Sequence, residues 1–150
     1  MKFEQTIDLD ADPQRVWDFV MDVPSVAKCI PGCEGLEQLG DDRYKAIVKV
    51  KVGPIGLALA SEISIVERDE ANKTAVLQVE AADKRVGGAV KAVMSMKLTP
   101  SGTGTRLEVN TDANVMGRIG DFGQPIIRKK ADQTLQEVAT NLRNALAAPV

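Results

Sequence analysis

Few side chains in this sequence could do chemistry, and they are scattered. Cys29 and Cys33 bracket Pro31-Gly32 in "CIPGC". Thiols at that spacing suit a redox couple, half of a metal site, or a turn with small neighbours. The chain has no histidine, which removes the commonest general base and the commonest metal ligand. A zinc ion would need both thiols plus carboxylates, and C-x3-C without a second pair matches structural zinc spacing poorly. Thioredoxin-like pairs take C-x2-C at the opening of a helix after a strand, whereas this corner follows a short helical stretch. The turn reading is preferred. "GRIGDFG" at 117–123 follows a strand and precedes a helix, but its spacing is G-x-x-G-x-x-G and no later strand completes a βαβ unit. A phosphate cradle is therefore disfavoured.

The elements that must position these residues are easier to read. The 150 residues suit one domain, 1–150, with a single core. Apolar residues are 44% and charged residues 27%, but aromatics are only 3%, so the core rests on Val, Ile, Leu, Ala and Met. A net charge of −2 and a pI near 5.2 argue against a nucleic-acid surface. No apolar run approaches the roughly 18 residues of a membrane span, and "MKFEQTIDLD" lacks the apolar block of a signal peptide. A cytoplasmic protein is expected.

Residues 3–9 alternate as a half-buried strand. Asp12-Pro13 caps a helix through "QRVWDFVMD", in which Trp17 is expected to anchor the core. Pro24 starts a second short helix, stopped by Pro31-Gly32. Then come alternating runs broken by turns about ten residues apart, the pattern of an antiparallel meander with one wet face. From Ile127 through Ala131, Leu135, Val138, Leu142 and Leu146 the period becomes helical. That face predicts a helix of about 22 to 28 residues, roughly 33 to 42 Å long, with Pro125 making its first turn irregular and Pro149 following its end. One sheet with one apolar face and a single long amphipathic helix bury both surfaces only if the sheet curves around the helix. Ala46, Ala81, Ala92 and Ala113 then face the helix. Either the helix sits close there, or something else fills the room.

In this order of elements, "PQRVWDFVMD", "CIPGCEGLE", "YKAIVKVKVGPI" and "GTRLEVNTDANVMGRIGDFG" resemble the CoxG family of carbon monoxide dehydrogenase subunits, within the START/Bet v 1-like (SRPBCC) superfamily. The resemblance is collinear over most of residues 1–147. It implies an α+β helix-grip fold: a curved seven-stranded antiparallel sheet around one long C-terminal helix, with two short helices after the first strand. It also implies a binding protein without a cofactor of its own, accessory to a molybdenum-containing carbon monoxide dehydrogenase-type enzyme. The implied roles are carriage of a hydrophobic small molecule, lipid or quinone, and recruitment of the enzyme to the membrane. Because Val150 lies just past the helix, transient contact at the inner face of the membrane is expected rather than an anchor.

A helix-grip would gather the loops 29–34, 53–57, 83–89 and 116–123 at one end of the sheet, around the start of the long helix. Their glycines, their aliphatics Ile30, Ile55, Val86, Ile119 and Phe122, and the basic Lys84, Arg85 and Arg118 read as a mobile apolar mouth with a positive rim. The Ile119–Ile126 segment is its expected gate. The expected ligand-binding residues are Val26, Ile30, Val50, Val52, Leu57, Leu59, Ala81, Val90, Ala92, Met94, Val115, Ile119, Phe122 and Ile126. Met94 and Met96 suit cavity lining and plain core equally. Some superfamily relatives are cyclases or aromatases, and such work needs an acid or base inside. The inward positions are expected to offer only Gln5, Tyr44, Ser61 and Thr111; a buried, paired Asp or Glu would reopen the enzyme reading. An assembly factor acting by protein contacts alone is the remaining alternative.

Overall fold

The computed structural model describes residues 1–147. Pro149, expected beyond the helix, lies outside the described residues. Strand β1 (Lys2–Leu9) leads into α1 (Pro13–Val20) and α2 (Val23–Ala27), and β2 (Cys33–Gly40) to β7 (Gly104–Gly117) follow in a meander. Between them lie β3 (Arg43–Val52), β4 (Ile55–Asp69), β5 (Thr74–Asp83) and β6 (Gly88–Ser101). A 3-10 turn at Gly120–Phe122 precedes α3 (Gln124–Ala147). The sheet has seven antiparallel strands in the order β1-β7-β6-β5-β4-β3-β2. It is the curved sheet, long helix and pair of short helices that the alternation and the change of period predict.

The register puts one parity of each strand against the helix. Tyr44 lies opposite Ile63, Ile63 opposite Val79, Val79 opposite Ala92, and Ala92 opposite Ala113. One row further on run Ala46, Ser61, Ala81, Val90 and Val115. Irregularities in the ladder at Glu34/Glu37 and Ile65/Glu67 let the sheet bend, since an extra residue on one strand sharpens its local twist.

Local chemistry sets the helix ends. The Asp12 carboxylate accepts from the Arg15 N–H at 3.0 Å and Pro13 begins α1, where a missing N–H loses no helical bond. Pro125 is likewise the second residue of α3, and the Ile127 N–H already reaches the Gly123 carbonyl at 3.1 Å. The first turn of α3 is therefore regular. The irregularity sits just upstream, in the 3-10 turn and in Gly123, whose φ of 86° suits glycine.

Buried residues form two separate clusters. One joins Ile7, Leu9, Val16, Trp17, Leu98 and Leu107 to Leu142 and Leu146 of α3, with Met94 and Met96 packed against it. The other, at the far end of the sheet, is built on Val52, Leu57 and Ile119. We call these the closed and the open end. Trp17 is 2% exposed, donates its indole N–H to Glu70 at 3.1 Å and lies under the Lys73 ammonium. It is the core anchor its position suggested.

Candidate functional site

The open end is laced together by backbone chemistry. Asp83 ends the inward parity of β5, and its carboxylate folds back over the loop to β6. It accepts from the N–H of Ala58 at 2.9 Å, of Arg85 at 2.9 Å and of Val86 at 3.3 Å, and from the Arg85 guanidinium at 3.1 Å. The Ala58 N–H first, then the Arg85 side chain, hold its carboxyl down at about 2. The Gly87 N–H caps the Asp83 carbonyl at 2.9 Å, and the Arg118 N–H caps that of Gly87 at 2.9 Å. The loops after β5 and β7 are thus tied to one another.

Two glycines permit this closeness. Any side chain at Gly88 would strike Ile119, and one at Gly117 would strike the Gly87 carbonyl. Ile119 accordingly lies flat over Gly88, only 6% exposed, against Val52 and Leu57. Val50, Leu59, Val86, Val115 and Phe122 pack around that centre.

Between the two clusters lies a strip that neither absorbs. Ile63, Val79, Val90 and Ala92 point inward yet are only half-buried, and they join neither core. On α3, Leu135, Val138, Ala139, Leu142, Ala145 and Leu146 pack into the closed end, while Ile127 and Ala131 on the same stripe are half-buried and join neither cluster. The helix is gripped by its second half. The first half is held at its edge: Arg128 donates to the Lys2 carbonyl at 2.8 Å and stacks on Phe3, and Gln5 reaches Asp132 at 3.3 Å.

The expected ligand-binding residues divide on this frame. Val50, Val52, Leu57, Leu59, Val115, Ile119 and Phe122 come together at the open end. Ala81, Val90 and Ala92 lie on the strip, and Met94 packs against the closed end. Val26 and Ile30 are half-buried and join neither cluster, and Ile126 is 50% exposed. Ile55 and Met116 are also exposed at this end, beside the exposed Lys84, Arg85 and Arg118. Of the aliphatics expected on the rim, Ile119 is instead buried, and Val86 and Phe122 are half-buried.

Two expectations need correction. The 29–34 corner is divided: Cys33 pairs with Val48 at the end of the sheet shared with the other loops, but Cys29 lies away from the start of α3. Cys29 belongs to the closed-end core, and its carbonyl accepts from Asn141, deep in the second half of α3, at 2.9 Å. The corner is a turn in which Gly32, with φ of 77°, lies against the Lys49 carbonyl. Both thiols are free, and burial pushes both up from the ordinary thiol range, Cys33 further through Glu34. Among the described residues no His, Cys, Asp and Glu side chains group as a metal site.

The second correction is Asp83, an inward carboxylate that the inventory of Gln5, Tyr44, Ser61 and Thr111 missed. Its signal was available, because the inward alternation Ala75, Leu77, Val79, Ala81 runs one step further to reach it. Buried and paired, it is the kind of group that would reopen acid–base chemistry. Held at about 2 with donors on both oxygens, it stays ionised and takes up no proton near neutrality. It is a clasp for the loop.

A curved antiparallel sheet gripping one long helix, with two short helices after the first strand, defines a protein of the START/Bet v 1-like helix-grip class. The chain belongs to the CoxG family of carbon monoxide dehydrogenase subunits, whose model matches residues 6–147. Among solved structures it is similar to a conserved protein from Geobacillus kaustophilus, at 24% identity and a TM-score of 0.89 over 98% of this chain and 95% of that one. It is also similar to a START superfamily protein from Mycobacterium smegmatis, at 15% identity and a TM-score of 0.70 over 97% and 96%. The Zhui aromatase/cyclase of Streptomyces sp. R1128 is similar at 16% identity and a TM-score of 0.69 over 97% and 93%. At these identities the likenesses establish the fold alone. No curated protein matches the sequence.

Proposed function

We propose that this protein is a non-enzymatic carrier, working as one helix-grip unit, that holds a hydrophobic small molecule in the gap between α3 and the sheet. It serves as an accessory to a molybdenum-containing carbon monoxide dehydrogenase-type enzyme. A quinone or a lipid is the cargo that best suits such a partner, taken up during transient contact with the inner face of the cytoplasmic membrane. The ligand-binding set of the sequence analysis, centred on Val90, Ala92, Val115, Ile119 and Phe122, is the proposed lining. The observation that supports this reading is that the second half of α3 packs into the closed-end core, while Ile127 and Ala131 on the helix and the half-buried Ile63, Val79, Val90 and Ala92 on the sheet join neither core. Apolar enclosure would drive binding at about 25 cal/mol per Å2 buried, before the costs of ordering. Among the described residues no helix is long and apolar enough to cross a membrane, so the exposed Ile55, Ile126 and Met116 with their basic neighbours are the proposed points of contact.

One observation favours a second reading, an assembly factor acting by protein contacts. On the outer face Ile47, Ala60, Ala82, Ala89 and Met116 run in register across β3 to β7, and the first four line a shallow concavity of about 870 Å3. Native mass spectrometry and solvent extraction of the purified protein decide between them. A co-purifying lipophile supports the carrier. A clean protein that binds no neutral lipophile supports the assembly factor and overturns the carrier.

A further inference from the structure

The outer face of the sheet, turned away from α3, carries charges that neither a carrier nor an assembly factor explains. At the middle of that face β5 and β6 meet in three outward pairs, Ala82 with Ala89, Glu80 with Lys91 and Gln78 with Val93. The charges nearer β2 are matched within the chain: Arg43 with Glu62, Lys45 with Glu37 at 2.9 Å and Lys49 with Glu34 at 3.2 Å. Glu80 and Lys91 are not. They are direct cross-strand neighbours and both exposed, yet neither side chain has an ion pair or a hydrogen bond among the described residues. Both line two adjoining shallow concavities of about 700 and 870 Å3. Val93 beside them is 44% exposed.

From this register we infer that the outer face docks a second copy of this chain, in a two-fold dimer whose axis runs along the strands between β5 and β6. A two-fold contact must be complementary to itself, and this one is. Rotation about that axis lays β5 of one copy over β6 of the other and keeps each residue at its own height. Glu80 then meets Lys91 of the second copy and Lys91 meets its Glu80, so two charges left over in each chain become two ion pairs in the dimer. Ala82 and Ala89 meet beside the axis, where one-carbon side chains let the sheets approach closely. Val93 lies over the stem of Gln78. One strand further out Glu62 meets Asn114 and Ser64 meets Asp112, so no like charges face one another in these rows across β4 to β7. An axis between β4 and β5 fails, because it sets Glu80 against Glu62 and Lys91 against Lys45. Sheet twist carries the outer strands apart, so the contact is small and the dimer weak. The inference is independent of the carrier reading, whose gap lies on the opposite face.

Analytical ultracentrifugation of the whole protein over about 1 to 500 μM tests it. The wild type should pass from monomer to dimer with a dissociation constant of about 10 to 100 μM, as suits a contact at the small end of the range. Glu80→Lys and Lys91→Glu each set like charges across the axis and should weaken the dimer at least about tenfold. Mixed in equal amounts they should pair with each other as tightly as the wild type pairs with itself, since one variant presents two cations to the other's two anions. The double variant Glu80→Lys/Lys91→Glu keeps opposite signs within and between copies, so it should dimerise like the wild type even where a single variant fails to fold. A wild type that stays monomeric throughout overturns the dimer and leaves the face to a partner of another sequence. A dimer that both single variants leave unchanged uses another surface and overturns the docking face. Single variants that fold but do not pair when mixed, or a double variant that stays monomeric, overturn the axis. The carrier stands or falls separately, on extraction.

Discussion

The closed and open ends of this sheet are built from the same strands, yet they solve different problems. At the closed end, β1, β6 and β7 converge with α1 and the second half of α3, and side chains such as Val16, Trp17 and Leu142 are 0%, 2% and 3% exposed. At the open end, a small cluster on Ile119 is secured chiefly by backbone: the Asp83 clasp, the bond from Arg118 to Gly87, and the bare Gly88 and Gly117. The closed end gives stability. The open end gives shape with little bulk. Of the long helix, only the second half packs into either cluster.

That contrast is sharpest under truncation. Leu142→Ala, at the closed end, should lose about 2–5 kcal/mol in urea unfolding. Ile127→Ala, about four turns earlier on the same stripe and half-buried, should lose under about 1 kcal/mol. Equal losses would mean that the helix is gripped along its whole length. The next largest effect reverses the sign of the usual rule. A close-packed core charges about 1–3 kcal/mol for an inserted side chain, but Ala92→Phe should stay within about 0.5 kcal/mol of the wild type and abolish uptake of neutral dye. Strong destabilisation by Ala92→Phe would break the comparison from the other side.

A smaller effect separates the ends by pH. The folded Asp83 carboxyl lies at about 2, below the ordinary aspartate value of about 3.9. Its contribution is fully present above that ordinary value and is lost as pH falls through about 2. Asp83→Asn should remove this part of the acid response, so its unfolding midpoint converges on that of the wild type as pH is lowered from about 4 towards 2. Amide exchange should quicken at Arg85 and Val86 in this variant and stay unchanged at Leu107 and Val109. Uniform quickening would show that the clasp is not local. Smallest of all, Cys33→Ser should leave stability within about 0.5 kcal/mol and dye binding untouched, because the corner works as a turn and not through its thiol.

Much of this was legible in the residues. Alternation marks a strand wherever one face is buried, so β3 to β7 and their inward parity follow from runs such as Tyr44, Ala46, Val48, Val50 and Val52. The helical stripe from Ile127 to Leu146 gives α3 in the same way. That same regularity hides the difference between the two halves of the helix, since Ile127 and Ala131 continue the pattern of Leu135 and Leu142 without a break. Which half meets the sheet is decided by packing partners distant in sequence. The tie between Asn141 and the Cys29 carbonyl is a second case: a contact between a side chain and a backbone carbonyl 112 positions away has no signature in local spacing. Asp83 escaped for a different reason. A charged residue next to Lys84 and Arg85 reads as loop, although the parity of β5 already carried it inward.

The central claim is the unfilled apolar space beneath the first half of α3, and xenon tests it most directly. Crystals pressurised with the gas should show xenon density between Ile127 and Ala131 on the helix and Val79 and Ala92 on the sheet, since dry apolar cavities take it up. Density confined to other sites, with side chains meeting across that strip, would contradict the account.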